Sequence, residues 1–374
     1  MPSTDLPPTA DLARLEQLRK AFDGDQLRVA RELKRMTQAA LARAAGEAGR
    51  AKLTAAAVSQ FELGLAVPTT MTLAALATAL EVDAEFLTTA AVDAEAELPA
   101  FFRSLRATSA QERKRARHQV QFVHRLAQVL NDIVGLPARS LPCIPTDPYA
   151  EPRERAAAAE DAAAKVRKML KLERGPVLDV IGCLEAHGVV CARLEFQEAK
   201  VDAFSVNFSD HPVAVLATDK AKWDRSRFDA AHELAHLVMH EDAAGVAEAE
   251  KQADEFAAAF LMPASDIRAE LPASADWRHL KALKAEWGVS IAALLRRAKT
   301  LEVMSDGAYV SATKVMSARG WRRHEPVNRH PEVPTLLRAA FHKAQRQGTT
   351  AENLRRQAMI PQSLFDEICP FIDA

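Results

Sequence analysis

The segment His232-Glu233-Leu234-Ala235-His236 constrains the fold of this chain more than any other feature of its sequence. Residues four apart lie on one face of an α-helix, so both imidazoles point the same way if the segment is helical. Two imidazole nitrogens placed in this way can bind one tetrahedral metal ion. Glu233 stands beside the first of them, where a carboxylate can take a proton from water that the metal activates. The segment therefore predicts a helix with a mononuclear zinc site of the peptidase type.

The next predicted helix, residues 247–262, offers the ligand that two histidines leave missing. Glu250 and Asp254 are again four residues apart, so one face of that helix carries two carboxylates. We predict that Glu250 is the third metal ligand and that Asp254 accepts the N–H of a ligand histidine. The competing carboxylates are those of Glu241, Glu248 and Glu255.

His240 continues the row of histidines, eight residues after His232. On a straight helix it lies about 12 Å along the axis from His232, whereas zinc–nitrogen bonds are about 2 Å long. We therefore predict that His240 is a neighbour of the site and not a ligand. With Arg225 and Arg227, it is also a candidate for stabilising an oxyanion.

Two β-type runs precede the histidine helix, at residues 203–208 and 213–217, and the residues between them are typical of a turn. If the first run is an edge strand, residues 201–206 can align a substrate peptide by adding it to the sheet.

The composition limits the class of protein. A length of 374 residues favours two or three domains, and 26% charged with 48% hydrophobic residues is typical of a soluble globular protein. Because the net charge is −1, any nucleic-acid contact must come from a local basic patch. The four cysteines form no C-x-x-C pair, which fits a reducing cytoplasm. We find no secretion signal and no run of about 18 apolar residues, so we expect a cytoplasmic protein without a membrane segment.

A second pattern lies in residues 27–87. Leu27–Glu32 begin a first helix. Thr37 and Thr54 are good N-caps for a second and a third short helix, and Gly64 is a stop signal for the third. With Val58-Ser59 and Glu62 ahead of Gly64, this region resembles an Xre/Cro-type helix-turn-helix domain. Residues 27–62 carry seven basic and three acidic side chains, so the basic bias lies where phosphates would be met.

The helix-turn-helix resemblance implies a set of contacts with double-stranded DNA. Gln38 would touch the backbone or a base at the start of the second helix, and the third helix would face the major groove. The turn before that helix, residues 46–53, is longer than this type of domain usually has. We expect a homodimer, because half-sites normally come in pairs. The alternative is that the module binds a protein, for instance another Xre-like domain. The remaining predicted DNA contacts are Ala55, Ala56, Ser59 and Gln60 in the groove and Arg50 and Lys52 at phosphates.

The stretch from Arg225 through the histidine segment to Met262-Pro263 closely resembles the ImmA/IrrE family of metallopeptidases. The similarity extends from about 155 to 330 and includes Trp287-Gly288-Val289-Ser290 and Gly320-Trp321-Arg322. It implies one zinc ion per chain and a narrow regulatory protease that cleaves one cognate regulator, often an Xre-type repressor. The resemblance supports His232, His236 and Glu250 as the metal ligands and Glu233 as the general base.

These patterns together predict a mostly helical α+β chain, with an all-α helix-turn-helix domain and a zincin-like metallopeptidase domain that contains a small β-sheet. The predicted function is that of a DNA-binding regulatory zinc metallo-endopeptidase that cuts a repressor or antitoxin. One alternative is a transcriptional regulator whose peptidase-like domain is a non-proteolytic sensor or scaffold. Another is the protease of a toxin–antitoxin or phage-defence pair. The predicted division is a disordered lead (1–10), the helix-turn-helix domain (11–90), a helical linker with a Pro-rich joint (91–150), the peptidase domain (151–310) and a helical extension (311–374).

Overall fold

The computed structural model of the chain describes residues 9–49, 52–88, 108–147, 149–172, 174–196, 202–218, 222–240, 247–322 and 324–372. These residues form two compact units. The first gathers the described parts of residues 1–97, 109–129 and 344–374, and the second those of 98–108 and 130–343. Most of the predicted lead, residues 1–8, lies outside the described residues, and so does the whole segment 89–107, which includes the start of the predicted linker. No described helix is long and apolar enough to cross a membrane.

The described elements follow one another in chain order: α1 (Thr9–Lys20), α2 (Gly24–Leu33), α3 (Gln38–Gly49), α4 (Ala55–Glu62), α5 (Thr70–Leu80), a 3-10 helix (Ala84–Thr88), α6 (Ala110–Val134), α7 (Pro152–Met169), α8 (Val180–Ala186), β1 (Val190–Leu194), β2 (Ala203–Val206), β3 (Val213–Ala217), α9 (Trp223–Met239), α10 (Ala247–Leu261), α11 (Ala264–Ile267), α12 (Trp277–Trp287), α13 (Ile291–Thr300), α14 (Asp306–Ala318), α15 (Leu336–Arg346), α16 (Ala351–Gln357) and α17 (Gln362–Ile368). The predicted fold class, mostly helical α+β with a small sheet, is confirmed.

The described residues of the first unit form helices and no strand, and its helix-turn-helix pair is α3 and α4. The hydroxyl oxygens of Thr37 and Thr54 accept hydrogen bonds from backbone amides in the first turns of these helices, at 3.1 and 3.2 Å, as the sequence predicts. Helix α2 packs very closely on α4: a Cβ atom added at Gly24 would lie 2.2 Å from the carbonyl oxygen of Phe61. Only glycine fits this contact, which fixes the angle at which the helices meet.

The start of α6 and the C-terminal helices α16 and α17 belong to the same unit as the helix-turn-helix pair. Glu112 on α6 makes a two-pronged ion pair with Arg35, both contacts at 2.8 Å. Arg355 on α16 reaches Asp83 at 2.6 Å. Residues predicted to form a linker and a C-terminal extension therefore pack against the N-terminal helices. Ion pairs that join distant segments leave no periodic pattern in the sequence, so this packing could not be predicted.

The second unit contains one three-stranded sheet in the order β1–β3–β2. Strand β2 runs antiparallel to β3, with Val206 opposite Val213, so the predicted β-pair is confirmed. Strand β1 runs parallel to β3. All five residues of β3 are buried, as a central apolar strand requires. Strand β2 is at the edge, and α9 packs against it, while α10 packs between α7 and α9.

Candidate functional site

Two helices of the second unit bring the predicted metal ligands together. The donor atoms of His232, His236 and Glu250 all lie within 4.8 Å of one another. The Nε2 atoms of the two histidines are 3.1 Å apart. The carboxylate oxygens of Glu250 lie 3.3 Å from Nε2 of His232 and 3.6 Å from Nε2 of His236. The two histidines four residues apart on α9 and the glutamate in the first turn of α10 thus converge on one position.

This donor set fits a tetrahedral zinc ion. Two ligands at zinc distances of about 2.0–2.1 Å and a tetrahedral angle lie about 3.3 Å apart. The two imidazole nitrogens are 3.1 Å apart, and Glu250 places one oxygen 3.3 Å from His232 and the other 3.6 Å from His236, all close to that value. Oxygen Oε1 of Glu250 is buried and makes no hydrogen bond within the described residues. A buried carboxylate oxygen in this state is poorly satisfied by the protein alone, as expected of an atom reserved for a cation.

Asp254 lies behind the first histidine: its Oδ1 is 3.1 Å from Nδ1 of His232. Burial alone would lower the pKa of His232, but hydrogen bonds to Asp254 and Glu250 outweigh it and raise that pKa to about 10. Burial alone would raise the pKa of Glu250, but its contacts with His232 and His236 outweigh burial and hold that pKa well below its usual range. The carboxylates of the cluster therefore stabilise positive charge at the position between the two histidines.

Glu233 is buried beside the cluster and is held by a residue that the sequence analysis missed. The hydroxyl of Ser205 on β2 donates to Oε2 of Glu233 at 2.7 Å, and Ser205 is fully buried. The signal in the sequence is that Ser205 is the one polar residue of the otherwise apolar strand β2. Because one oxygen of Glu233 is fixed from the sheet, the carboxylate has a defined orientation next to the metal ligands.

His240 follows α9 directly and lies on the far side of His236 from the ligand cluster. Its Nδ1 atom is 3.1 Å from Nδ1 of His236, and its Nε2 atom is 2.8 Å from Oε1 of Gln252 on α10. Burial and the neighbouring His236 lower the pKa of His240 to about 4. The geometry keeps His240 out of the donor set, in line with its predicted place as a neighbour.

The two arginines considered for an oxyanion are engaged elsewhere. Arg225 pairs with Asp202 at 2.5 Å. Arg227 is buried, pairs with Glu332, and donates to the carbonyl oxygen of Gly288 at 3.1 Å. One turn before Glu233, burial and the charge of Asp202 raise the pKa of Asp229 to about 7.

In the first unit, α4 presents a weakly polar surface. Ala56 and Gln60 are exposed, whereas Ala55 and Ser59 are half-buried. Lys52 is exposed just before the helix, and Arg50 lies outside the described residues. The side chain of Gln38 donates to Oε2 of Glu62 at 2.8 Å, so it joins α3 to α4 within the unit.

Much of the basic bias of residues 27–62 is neutralised inside the unit. Arg31 makes a part-buried pair with Glu62 at 2.5 Å, and three further cations are paired with carboxylates, namely Arg28, Lys34 and Arg35. Among the described residues of this range, Arg43 and Lys52 make no ion pair. The positive charge available to phosphates is therefore smaller than the residue count suggests.

The helix that carries both histidines and Glu233, packed on a small mixed sheet and followed by a helix that supplies a carboxylate, defines a zincin-like peptidase domain. Residues 184–299 match the family model of the IrrE N-terminal-like domain, peptidase M78, and residues 24–88 match that of a helix-turn-helix domain. Both predicted resemblances are thus confirmed, although the peptidase match is narrower than the predicted range of 155–330. Comparison with curated proteins gives no match. The two domains support a regulatory protein that carries a peptidase-like domain.

Proposed function

We propose that this chain is a DNA-binding regulatory zinc metallo-endopeptidase that cuts one partner protein, either a repressor or an antitoxin. The observation that carries the proposal is the convergence of three donor groups, from His232, His236 and Glu250, beside the buried carboxylate of Glu233. A non-proteolytic sensor would need the ligands but not a carboxylate held in place by a fully buried serine. The helix-turn-helix domain in the same chain supports a regulatory role.

Each residue of the site has a place in the proposed reaction. A zinc ion held by His232, His236 and Glu250 would act as a Lewis acid that polarises the scissile carbonyl and lowers the pKa of water. Glu233 would take the proton from the attacking water and deliver it to the departing amine. Ser205 would hold one oxygen of Glu233, so that the other oxygen meets the water.

The substrate would lie along β2. Within the described residues, the outer edge of β2 has no strand partner, because the sheet order places β3 on its other side. An extended peptide can add to such an edge through backbone hydrogen bonds. Since Ser205 of this strand contacts Glu233 directly, a peptide paired with β2 would pass close to the base.

Removal of the proposed third ligand should remove the metal. We expect wild type to bind one zinc ion per chain and Glu250→Ala to lose most of it, because two imidazoles alone bind zinc weakly. Metal analysis of the dialysed proteins measures this. Glu248→Ala is the matched control, since it deletes a carboxylate from the same helix and should leave the zinc content unchanged. Full zinc content in Glu250→Ala would overturn the assignment of this ligand.

The DNA-binding part of the proposal is tested on the exposed residues of the helix-turn-helix. With DNA selected by wild type from a random pool, Gln60→Ala should lower affinity for the selected sequence by about 1–3 kcal/mol. Lys52→Ala should weaken selected and random DNA alike and reduce the slope of affinity against salt by about one. Gel retardation over a salt series gives both values. Lys165→Ala, which removes an exposed charge in the other unit, should change neither.

A second candidate role for the first unit is docking on a protein. Exposed apolar side chains follow α4 directly: Leu63 is 65%, Leu65 75% and Val67 52% exposed. Contiguous exposed apolar side chains mark sites of contact with other proteins. Selection of no DNA by wild type, at any salt concentration, would favour this role over DNA binding.

A further inference from the structure

A buried chain of polar groups leads away from the candidate metal site. Nδ1 of His236 meets Nδ1 of His240 at 3.1 Å, and Nε2 of His240 meets Oε1 of Gln252 at 2.8 Å. The hydroxyl of Thr146 donates to the same oxygen at 3.0 Å. His240 is 2% exposed, and Gln252 is fully buried. The proposed reaction uses neither of these two buried groups.

The direction of the hydrogen bonds in this row of polar groups is determined at the Gln252 end, which is farthest from the candidate metal site. The amide oxygen of Gln252 can only accept, so Nε2 of His240 must carry a hydrogen. A neutral imidazole has one N–H and one lone pair, so Nδ1 of His240 must then accept. The hydrogen between the two rings therefore belongs to Nδ1 of His236. This leaves a lone pair on Nε2 of His236, the atom that faces His232 and Glu250.

The opposite arrangement would disable the site. If the amide NH₂ of Gln252 faced His240, the whole chain would reverse, and the hydrogen of His236 would sit on Nε2, where a ligand needs its lone pair. Nε2 of Gln252, in the orientation present, is buried without a hydrogen-bond partner within the described residues. The amide oxygen, and not the amide nitrogen, is therefore the atom of Gln252 that meets His240 and Thr146.

The two histidines on α9 are held by different means. His232 faces a carboxylate, Asp254, which accepts from its Nδ1 at 3.1 Å. On its Nδ1 side, His236 faces a neutral imidazole, that of His240, so its tautomer depends on the order of the hydrogen bonds behind it and not on a carboxylate. The last group, Thr146, comes from the Pro-rich segment before α7. A bond of 2.7 Å from the backbone amide of Ile144 to the carbonyl oxygen of Val238 fixes that segment to the end of α9.

We infer that His240 and Gln252, supported by Thr146, are positioning residues that fix the tautomer and ring orientation of His236 for metal binding. The inference rests on the proposed zinc site and adds to it a second set of residues that touch no substrate. Loss of a hydrogen-bonding partner behind a metal ligand typically weakens metal affinity by about 10- to 100-fold.

Zinc affinity of the full-length chain, measured by competition with a chromophoric chelator, tests the inference. His240→Phe keeps the bulk of the ring but accepts nothing, and Gln252→Leu keeps the volume of the amide; each should weaken zinc by about 10- to 100-fold. His240→Asn places an amide oxygen near the position of Nδ1 and should recover most of the loss. Cobalt-substituted His240→Phe should also show a shifted visible absorption spectrum, because the orientation of one ligand changes.

The order of the His240 variants separates positioning from space filling. If His240 only fills space, Phe will bind zinc as tightly as wild type and Asn will be worse, which overturns the inference. Met239→Leu, a buried apolar change at the adjacent residue, should leave affinity unchanged. Thermal unfolding of the zinc-free proteins identifies a variant that does not fold, in which case Gln252→Leu decides. Wild type without zinc binding would instead overturn the proposed function.

Discussion

Glu233→Gln is expected to lower cleavage of the partner protein by about a thousandfold while the chain keeps its zinc ion. The substitution preserves the shape of the side chain, and the hydroxyl of Ser205 can still donate to its remaining oxygen. A neutral amide cannot take a proton from water, so the general base is lost. Since Glu233 is not one of the three groups that converge on the metal position, metal binding should persist.

Co-expression with the products of neighbouring genes measures this effect even though the substrate is unidentified. Wild type should deplete one intact partner band, and Glu233→Gln should leave it in place. Glu248→Gln makes the same chemical change on the neighbouring helix and should cleave like wild type. Equal depletion by wild type and Glu233→Gln would show that Glu233 is not the base. Depletion by neither protein, with zinc present in both, would favour the sensor alternative.

The candidate metal site is the part of this molecule for which local sequence patterns say most. The pair His232 and His236 is suggested by helical periodicity, Glu233 by its place beside the first histidine, and Glu250 and Asp254 by the same periodicity on the next helix. What could not be predicted is the support behind these residues. Ser205, Gln252 and Thr146 come from three separate segments, and their side chains meet the site only after the chain has folded.

The helix-turn-helix region shows the converse limit. Its caps at Thr37 and Thr54 are local interactions, and the sequence predicts them correctly. Its surface charge is a tertiary property, because Arg31 and Arg35 are paired with carboxylates 31 and 77 residues away along the chain. A count of charges within a window therefore overstates the charge that a partner meets. The same reason explains why residues 109–129 and 344–374, which supply such partners, were not predicted to belong with this region.

Buried charges in the second unit were equally invisible in the sequence. Lys284 reads as an exposed residue of an amphipathic helix, yet it is fully buried. Its Nζ atom contacts Oδ2 of Asp224 at 2.6 Å and Oε2 of Glu325 at 2.8 Å. Glu325 also accepts from the backbone amide of Ile291, at the start of α13, at 2.7 Å. One ammonium group thus joins α9, α12, the start of α13 and the segment after α14.

Lys284→Ala is therefore expected to lower the free energy of unfolding by about 3–5 kcal/mol, because it leaves the buried carboxylate of Asp224 and the part-buried carboxylate of Glu325 without their shared cation. Urea denaturation of the zinc-loaded chain, followed by tryptophan fluorescence, gives the value for the second unit, which contains Trp223, Trp277, Trp287 and Trp321. Lys299→Ala is the matched control: Lys299 also pairs with an aspartate, Asp306 at 3.1 Å, but its side chain is 43% exposed. An exposed pair contributes about 0–1 kcal/mol, so this control should remain close to wild type.

A loss below about 1 kcal/mol in Lys284→Ala would mean that water reaches the two carboxylates and that this contact does not hold the helices of the second unit together. Asp224 lies about two turns before His232 on α9. A loss of the expected size would therefore also link the stability of the candidate metal site to the charge of Lys284, which is far from it in the sequence.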